Sequence, residues 1–243
     1  MGNVIVVGIG PGDYENMTVR ADRALQNCDV IIGYHVYVDL VKERYPGKEF
    51  LTTPMTQEAK RCQMALDIAG KGKNVAMVCS GDSGIYGMAA LIYELRGESR
   101  VPEIQVIPGL TAACSGAALL GAPLTHDFAV ISLSDRLTSW EKIERRLEAA
   151  AVADLSIVLY NPASRGRPDH LRRACDILLR HLPADRPCGV AQHIGREGEN
   201  RRVLTLGQLR DAGVDMFCTV FVGNEMTKII SGNLVTPRGY RDV

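Results

Sequence analysis

Three short segments hold most of the residues that could bind a small molecule. Segment 8–13 reads GIGPGD, segment 80–87 reads SGDSGIYG, and segment 108–113 reads PGLTAA. Glycines let the backbone turn sharply and approach a ligand closely. The Asp82 carboxylate can accept hydrogen bonds from a hydroxyl or amino group, and the Thr111 hydroxyl could face the same ligand. These residue types indicate a ligand that is held mainly by backbone groups.

The common motifs that these segments resemble do not fit. A dinucleotide-binding fingerprint needs glycine where Asp13 stands, and Pro11 lacks an N–H that could hold a pyrophosphate. The string GDSG at 81–84 also occurs at the nucleophile of chymotrypsin-like proteases, but no other triad signal accompanies it. Two simpler alternatives stay open. Segment 8–13 could be only a tight turn, and segment 108–113 could be only a helix cap.

Each of these segments follows a short apolar run that is typical of a buried strand. Such runs predict strands at 4–7, 30–33, 75–79 and 104–107, and the apolar spacing within 62–69 predicts a helix with one buried face. Alternating strands and helices are typical of a mostly parallel sheet. Because α/β sheets bind ligands at the carboxyl ends of their strands, the three segments are predicted to share one site.

The pattern restarts after the turn at 121–123, which predicts two α/β domains, 1–125 and 126–243. A strand is expected at 128–132, and the spacing of TSWE at 138–141 fits a capping box before a charged helix. Later elements are a strand at 155–160, a loop at 161–167, a helix that starts near Pro168 and a hairpin turn at 196–200. The second domain is therefore expected to contain a mixed sheet, with a ligand cleft between the domains.

Composition excludes several classes of protein. The chain has 243 residues, of which 46% are hydrophobic, and its 28 basic and 28 acidic residues give no net charge that would favour nucleic acid or a membrane surface. No apolar run reaches the length of a membrane span, which favours a cytoplasmic location. Seven scattered cysteines without CxxC pairs indicate reduced core residues, and no metal site is predicted.

Taken together, the patterns GxGPGD, GDxxxY and PGxTA, in this order, resemble those of the tetrapyrrole methylase family, and the resemblance covers essentially the whole chain. Longer strings resemble the members that methylate carbon C-17 of a precorrin-3-type macrocycle and contract its ring. These strings are SGDSGIYGM at 80–88, ISLSD at 131–135, LTSWE at 137–141, LYNP at 159–162 and TPRGY at 236–240.

The resemblance implies that S-adenosylmethionine binds in the cleft, mostly to backbone groups. In the first domain the implied cofactor residues are Gly81, Asp82, Ser83, Ile85, Thr111 and Ala112. Those in the second domain are Tyr160, Asn161 and Gly189. Position 83 is serine where many family members have proline, so the resemblance is weaker there.

The resemblance also implies a tetrapyrrole substrate and a homodimer. The tetrapyrrole would be faced by the loop that consists of Gly10, Pro11, Gly12 and Asp13. The carboxylates of the tetrapyrrole would pair with Arg136, Arg165 and Arg167. Ring contraction needs proton transfer, for which the candidates are His35, His126, Asp127, Ser132, Ser134 and Asp135; capping or core hydrogen bonding is the alternative for each.

Other functions stay open at this point. They are a related methyltransferase that acts on another ring carbon, on RNA or on a modified histidine, and a non-catalytic tetrapyrrole-binding protein. A nicotinamide oxidoreductase is disfavoured by Asp13. The presence or absence of cobalt in the macrocycle is not encoded in these motifs.

Overall fold

The computed structural model describes residues 2–240, and the chain divides into two compact units, residues 1–112 and 113–243. Within the described residues, no helix is both long and apolar enough to cross a bilayer. The boundary predicted at 125 lies beyond this division. The difference arises because the helix at 112–120 packs on the second unit, where a side chain at Gly116 would contact Phe221 and Ile194.

The first unit is a parallel five-stranded sheet with strand order β3-β2-β4-β1-β5. Its elements are β1 (Val4–Gly8), α1 (Val19–Asn27), β2 (Val30–Tyr34), α2 (His35–Asp39), β3 (Glu49–Thr53), α3 (Glu58–Gly70), β4 (Val75–Cys79), α4 (Ala89–Arg96) and β5 (Ile104–Ile107).

Helices cover both faces of this sheet, which explains why its central strands are apolar at every position. Because successive side chains alternate between faces, Val75 and Met77 of β4 join one core with α3 and α4, whereas Ala76 and Val78 join the other with α1. Strands that are buried on both faces are typical of parallel sheets. The glycine-containing segments lie at the carboxyl ends of β1, β4 and β5.

The second unit contains a mixed sheet in the order β10-β9-β11-β8-β7, in which only β7 and β8 are parallel, and a small sheet β12-β13-β6. Its elements are α5 (Ala112–Leu120), β6 (Gly121–Ala122), β7 (Phe128–Ser132), α6 (Trp140–Val152), β8 (Ser156–Tyr160), α7 (His170–Leu178), β9 (Pro187–Gln192), β10 (Asn200–Thr205), α8 (Leu206–Leu209), β11 (Cys218–Val222), β12 (Lys228–Ile230) and β13 (Asn233–Val235).

The predicted fold class, two α/β domains with a parallel and a mixed sheet, is confirmed. The strands predicted at 75–79, 104–107 and 128–132 match, and β9 and β10 form the predicted hairpin. The predicted capping box at 138–141 is wrong. Helix α6 begins after Ser139, whose side chain makes no capping hydrogen bond.

Candidate active site

Four glycines bring the carboxyl ends of β4, β1 and β5 into backbone contact. A Cβ on Gly109 would lie 2.2 Å from the Gly81 carbonyl oxygen, and a Cβ on Gly8 would lie 2.6 Å from the Gly109 nitrogen. Gly10 and Gly81 also exchange hydrogen bonds of 3.1 and 2.7 Å. We call Gly8, Gly10, Gly81 and Gly109 the glycine edge. It joins the three sequence segments in one place, as their position after neighbouring strands predicts.

The Asp82 carboxylate holds this edge together. One oxygen accepts hydrogen bonds from the backbone N–H groups of Gly84 and Ile85, at 2.7 and 3.0 Å, and the other accepts from Gly109 N–H at 2.9 Å. These bonds fix the loop after β4 against the loop after β5. The Asp82 side chain, which the sequence predicts to accept hydrogen bonds from a ligand, therefore also links two loops of the protein.

The other predicted residues of this unit differ in their accessibility. Ser83 is fully buried, and its hydroxyl donates to the Ile107 carbonyl oxygen at 2.8 Å. Thr111 is also buried, whereas the side chains of Ile85 and Leu110 are exposed beside the glycine edge. The Ser83 side chain therefore supports β5 instead of facing a ligand, and Ile85 and Leu110 supply apolar surface.

The loop at 10–13 is shaped by its own side chains. Gly10 has a φ of 76°, in the left-handed region that favours glycine. Asp13 accepts hydrogen bonds from the Asn16 backbone and side chain at 2.7 and 2.8 Å. His35 is exposed at the first residue of α2, and its ring lies 4.4 Å from that of Tyr34.

In the second unit, polar side chains cluster after β7 and β8. The Ser134 hydroxyl accepts from Arg167 Nη1 at 2.5 Å, and the Asp135 carboxylate lies 3.6 Å from both Arg167 and His170 Nε2. His170 is buried, and its Nδ1 lies 2.8 Å from the Leu133 carbonyl oxygen. This contact assigns the proton to Nδ1 and directs Nε2 towards Asp135. We call Ser134, Asp135, Arg167 and His170 the polar cluster.

Three further candidates lie near the carboxyl end of β8. The Asn161 side chain donates to the Ser132 hydroxyl at 2.9 Å, and Asn161 has a φ of 54°. The Tyr160 hydroxyl accepts from the backbone N–H of Ala113 at 2.8 Å, at the start of α5. Ser132, Tyr160 and Asn161 therefore connect β7, β8 and α5 through hydrogen bonds.

His126 and Asp127 lie away from the polar cluster. His126 and Asp127 precede β7, whereas Ser132 ends it, so this strand separates them from the polar cluster by roughly 15 Å. Gly189 lies inside β9, where a Cβ would collide with Leu120. Arg136 and Arg165 are exposed, but Arg167 has hydrogen-bond partners within the protein.

His170 was not predicted from the sequence. It lies on the buried face of α7, far from Asp135 in the sequence, and no local pattern distinguishes it from a core residue. Among residues 2–240, no group of three His, Cys, Asp or Glu side chains is arranged to hold a metal ion.

Comparison with known proteins identifies the family. The model of the Tetrapyrrole (Corrin/Porphyrin) Methylases matches residues 3–210. The chain belongs to the tetrapyrrole methylase family. The family membership predicted from the three motifs is thereby confirmed.

Individual relatives of this tetrapyrrole methylase are similar over its whole length. The "Probable cobalt-factor III C(17)-methyltransferase" of Salmonella typhimurium is 48% identical over 236 residues, which are 97% of this chain and 98% of that protein. The "Cobalt-factor III methyltransferase" of Priestia megaterium is 43% identical over 99% of this chain, but this chain spans only 45% of that longer protein. The crystal structure of "the methyltransferase CobJ" superposes with a TM-score of 0.91 at 35% identity and covers 98% of this chain and 100% of that one.

Proposed function

We propose that this tetrapyrrole methylase transfers a methyl group from S-adenosylmethionine to carbon C-17 of a macrocycle at the cobalt-factor III or precorrin-3 level, in cobalamin biosynthesis. The observation that carries this proposal is the 48% identity to a C(17)-methyltransferase over nearly the full length of both chains. The long strings at 80–88 and 131–135 suggested the same reaction.

The glycine edge fits a cofactor without phosphate groups. The segments 8–13, 80–87 and 108–113 contain no lysine or arginine, so they offer backbone groups and the apolar side chains of Ile85 and Leu110 instead of positive charge. When bound, S-adenosylmethionine supplies a methyl group that is already activated by its sulfonium. The contribution of this edge is to hold and orient the cofactor, which is an effect of proximity.

We assign Gly81, Asp82, Ile85, Thr111 and Ala112 to the cofactor site of the first unit, with Asp82 as the residue that positions the loops. For Ser83, only the backbone is available for this role, because its side chain is buried against β5. The roles of Tyr160, Asn161 and Gly189 towards the adenine are proposed from the family resemblance alone.

The proton transfers of ring contraction are assigned to the polar cluster, with Asp135 as the group that exchanges the proton. Its side chain is 37% exposed and can meet a substrate, whereas the His170 side chain is 5% exposed and acts as a positioning residue. Arg167 and His170 approach its two oxygens from within the protein. Arg136 and Arg165 are exposed cations that could pair with substrate carboxylates.

The test is an anaerobic incubation of the purified protein with S-adenosylmethionine and either metal-free precorrin-3B or its cobalt counterpart, followed by mass spectrometry of the pigment. A gain of one methyl group is expected, and the macrocycle that gains it identifies the branch of the pathway. NMR spectroscopy of the product locates the methyl group. Methylation at another carbon, or cofactor binding without any product, would contradict the proposal; the latter result would favour a tetrapyrrole-binding protein.

Two further assignments are also proposals. A homodimer is supported by the family resemblance. A cytoplasmic location is supported by the neutral, cysteine-containing composition. Light scattering of the purified protein measures its mass in solution, and a monomer would contradict this assignment.

A further inference from the structure

The first unit also contains a buried cation, which belongs to neither the glycine edge nor the loop at 10–13. Arg61 is on α3, and only 4% of its surface is exposed. Its Nε donates to the Thr53 hydroxyl at 2.9 Å, and its Nη2 donates to the carbonyl oxygens of Thr53 and Pro54 at 3.4 and 3.2 Å. The acceptor of Nη1 is the sulfur of Met88, at 3.9 Å. In the described part of the chain, Arg61 forms no ion pair.

This arrangement is unfavourable for the isolated protein. Burial removes the water that stabilises a guanidinium, and neutral carbonyl and hydroxyl groups replace it only in part. A thioether sulfur is a weak acceptor. The donors of Nη1 are therefore poorly satisfied, and a carboxylate would be their natural partner because its two oxygens match the planar fork of an arginine.

A cavity of about 170 Å³ adjoins this guanidinium, and both Arg61 and Met88 line it. It lies at the carboxyl ends of β2 and β4. Since ligand pockets for whole small molecules usually exceed about 300 Å³, the cavity is too small for a tetrapyrrole ring but large enough for one acidic side arm. The other lining residues include Tyr34, Tyr37, Glu58, Ser80 and Tyr86.

The cavity is connected to the glycine edge through the sequence. Ser80 and Tyr86 belong to the same loop as Gly81 and Asp82, so a ligand bound along that loop would be close to the cavity. Among the described lining residues, Glu58 is the one carboxylate, and it accepts a hydrogen bond from the backbone of Thr56 at 3.1 Å. Arg61 is the one cation among the same residues.

We propose that this cavity is a carboxylate-binding site in which Arg61 pairs with a carboxylate of the bound ligands. The inference rests on the proposed function, which provides two sources of that group: the acidic side arms of the macrocycle and the methionine end of the cofactor. Pairing would complete the hydrogen bonding of Nη1 and would fix one arm of the ligand relative to β2 and β4.

The experiment compares Arg61→Met with the control Lys60→Met, which removes the same charge from an exposed neighbour on the same helix. Binding is measured by calorimetric titration with four stable probes. Uroporphyrin III and its octaamide differ only in their carboxylates, and S-adenosylhomocysteine is paired with methylthioadenosine, which lacks the amino acid part. Because these probes undergo no reaction, the assay does not depend on methyl transfer.

If Arg61 binds a macrocycle arm, Arg61→Met weakens uroporphyrin III binding at least about tenfold and changes octaamide binding less than about twofold. If it binds the cofactor, the same contrast appears between S-adenosylhomocysteine and methylthioadenosine. Equal losses for charged and uncharged probes would mean that Arg61 only supports Thr53 and Pro54, and unchanged binding of all four would also overturn the proposal.

A second variant covers the possibility that Arg61→Met does not fold. Arg61→Lys keeps the charge but loses the planar fork, so it is expected to weaken binding of the carboxylate probe by several-fold and to leave the uncharged probe unaffected. Normal C-17 methylation together with unchanged probe affinities would refute the carboxylate site and leave the proposed function intact. Weaker binding of the carboxylate probe by the variant, together with no C-17 methylation by the unmodified protein, would refute the proposed function and leave the carboxylate site intact.

Discussion

The glycine edge of the first unit and the polar cluster of the second are built in different ways. At the glycine edge, backbone segments touch one another, and any added Cβ would meet backbone atoms at 2.2 to 2.9 Å for Gly8 and Gly109. In the polar cluster, most contacts are between side chains, and Asp135 lies 3.6 Å from its two partners. The glycine edge depends on residues without a Cβ and on the Asp82 side chain that links its loops, whereas the polar cluster depends on the chemistry of its side chains.

This difference predicts different responses to substitution. A backbone contact cannot adjust to a new methyl group without moving a strand, so changes at the glycine edge should affect folding and cofactor binding together. A partly exposed carboxylate can be replaced by an amide of the same shape with little effect on folding. Changes in the polar cluster should therefore affect the rate of reaction more than stability.

The largest effect is expected for Gly109→Ala. Its new methyl group would lie 2.2 Å from the Gly81 carbonyl oxygen, so the free energy of unfolding should fall by about 3 kcal/mol. Urea unfolding measures this change, and calorimetry should show loss of S-adenosylhomocysteine binding. Gly70→Ala is the matched control, since no heavy atom outside its chain neighbours and its own helix lies within 4 Å of the position that its new methyl group would take. Equal stability of the two variants would contradict the close contact.

Asp135→Asn should be the strongest variant of the polar cluster. Loss of a proton-transfer group commonly lowers kcat about 100-fold, whereas the free energy of unfolding should change by less than about 1 kcal/mol because the contacts of Asp135 with Arg167 and His170 are long and its side chain is partly exposed. Steady-state kinetics and urea unfolding separate the two quantities. Asp185→Asn, an exposed carboxylate on another loop, serves as the control. An unchanged kcat would remove Asp135 from the mechanism.

Asp82→Asn should have an intermediate effect and should lower both the stability of the protein and its affinity for the cofactor. An amide retains one acceptor oxygen, so it cannot accept from Gly109 and from the loop 84–85 at once. The loss of a hydrogen bond to a charged acceptor should destabilise the protein by about 2 kcal/mol and weaken cofactor binding. Asp67→Asn, on the exposed side of α3, should leave both unchanged. If cofactor affinity falls while stability is retained, the carboxylate contacts the ligand directly.

The smallest effect is expected for the cysteines, whose thiol reactivity distinguishes exposed from buried positions. Burial raises the pKa of Cys62 to about 12 and that of Cys79 to about 11, so both thiols stay protonated and unreactive at pH 8. Six cysteines are buried, and Cys114 is exposed. We expect one thiol per chain to react with a chromogenic disulfide reagent in the native protein and seven after unfolding. Cys114→Ser should abolish the native reaction; any second reactive thiol would contradict the burial of the others.

Several features were predictable because they depend on local sequence. The strands at 4–7, 75–79 and 104–107 have apolar side chains in a continuous or alternating pattern, and the three segments after them carry the family motifs. Strand β3 was not predicted, because its mostly exposed or half-buried positions do not form a strong apolar pattern. The expectation that all cysteines are buried was wrong at Cys114, since the exposed side of α5 is as rich in small residues as its buried side.

The sequence alone determined the fold class, the family and the reaction type, because apolar periodicity and short motifs are contained within a few neighbouring residues. The tertiary structure decided which side chains act together. It placed His170 beside Asp135, separated His126 and Asp127 from them by the length of β7, and bound Asp82 to Gly109. It also buried Arg61 without a carboxylate partner among the described residues. Such pairings join residues that are distant in the chain, and their geometry is set by how strands and helices pack.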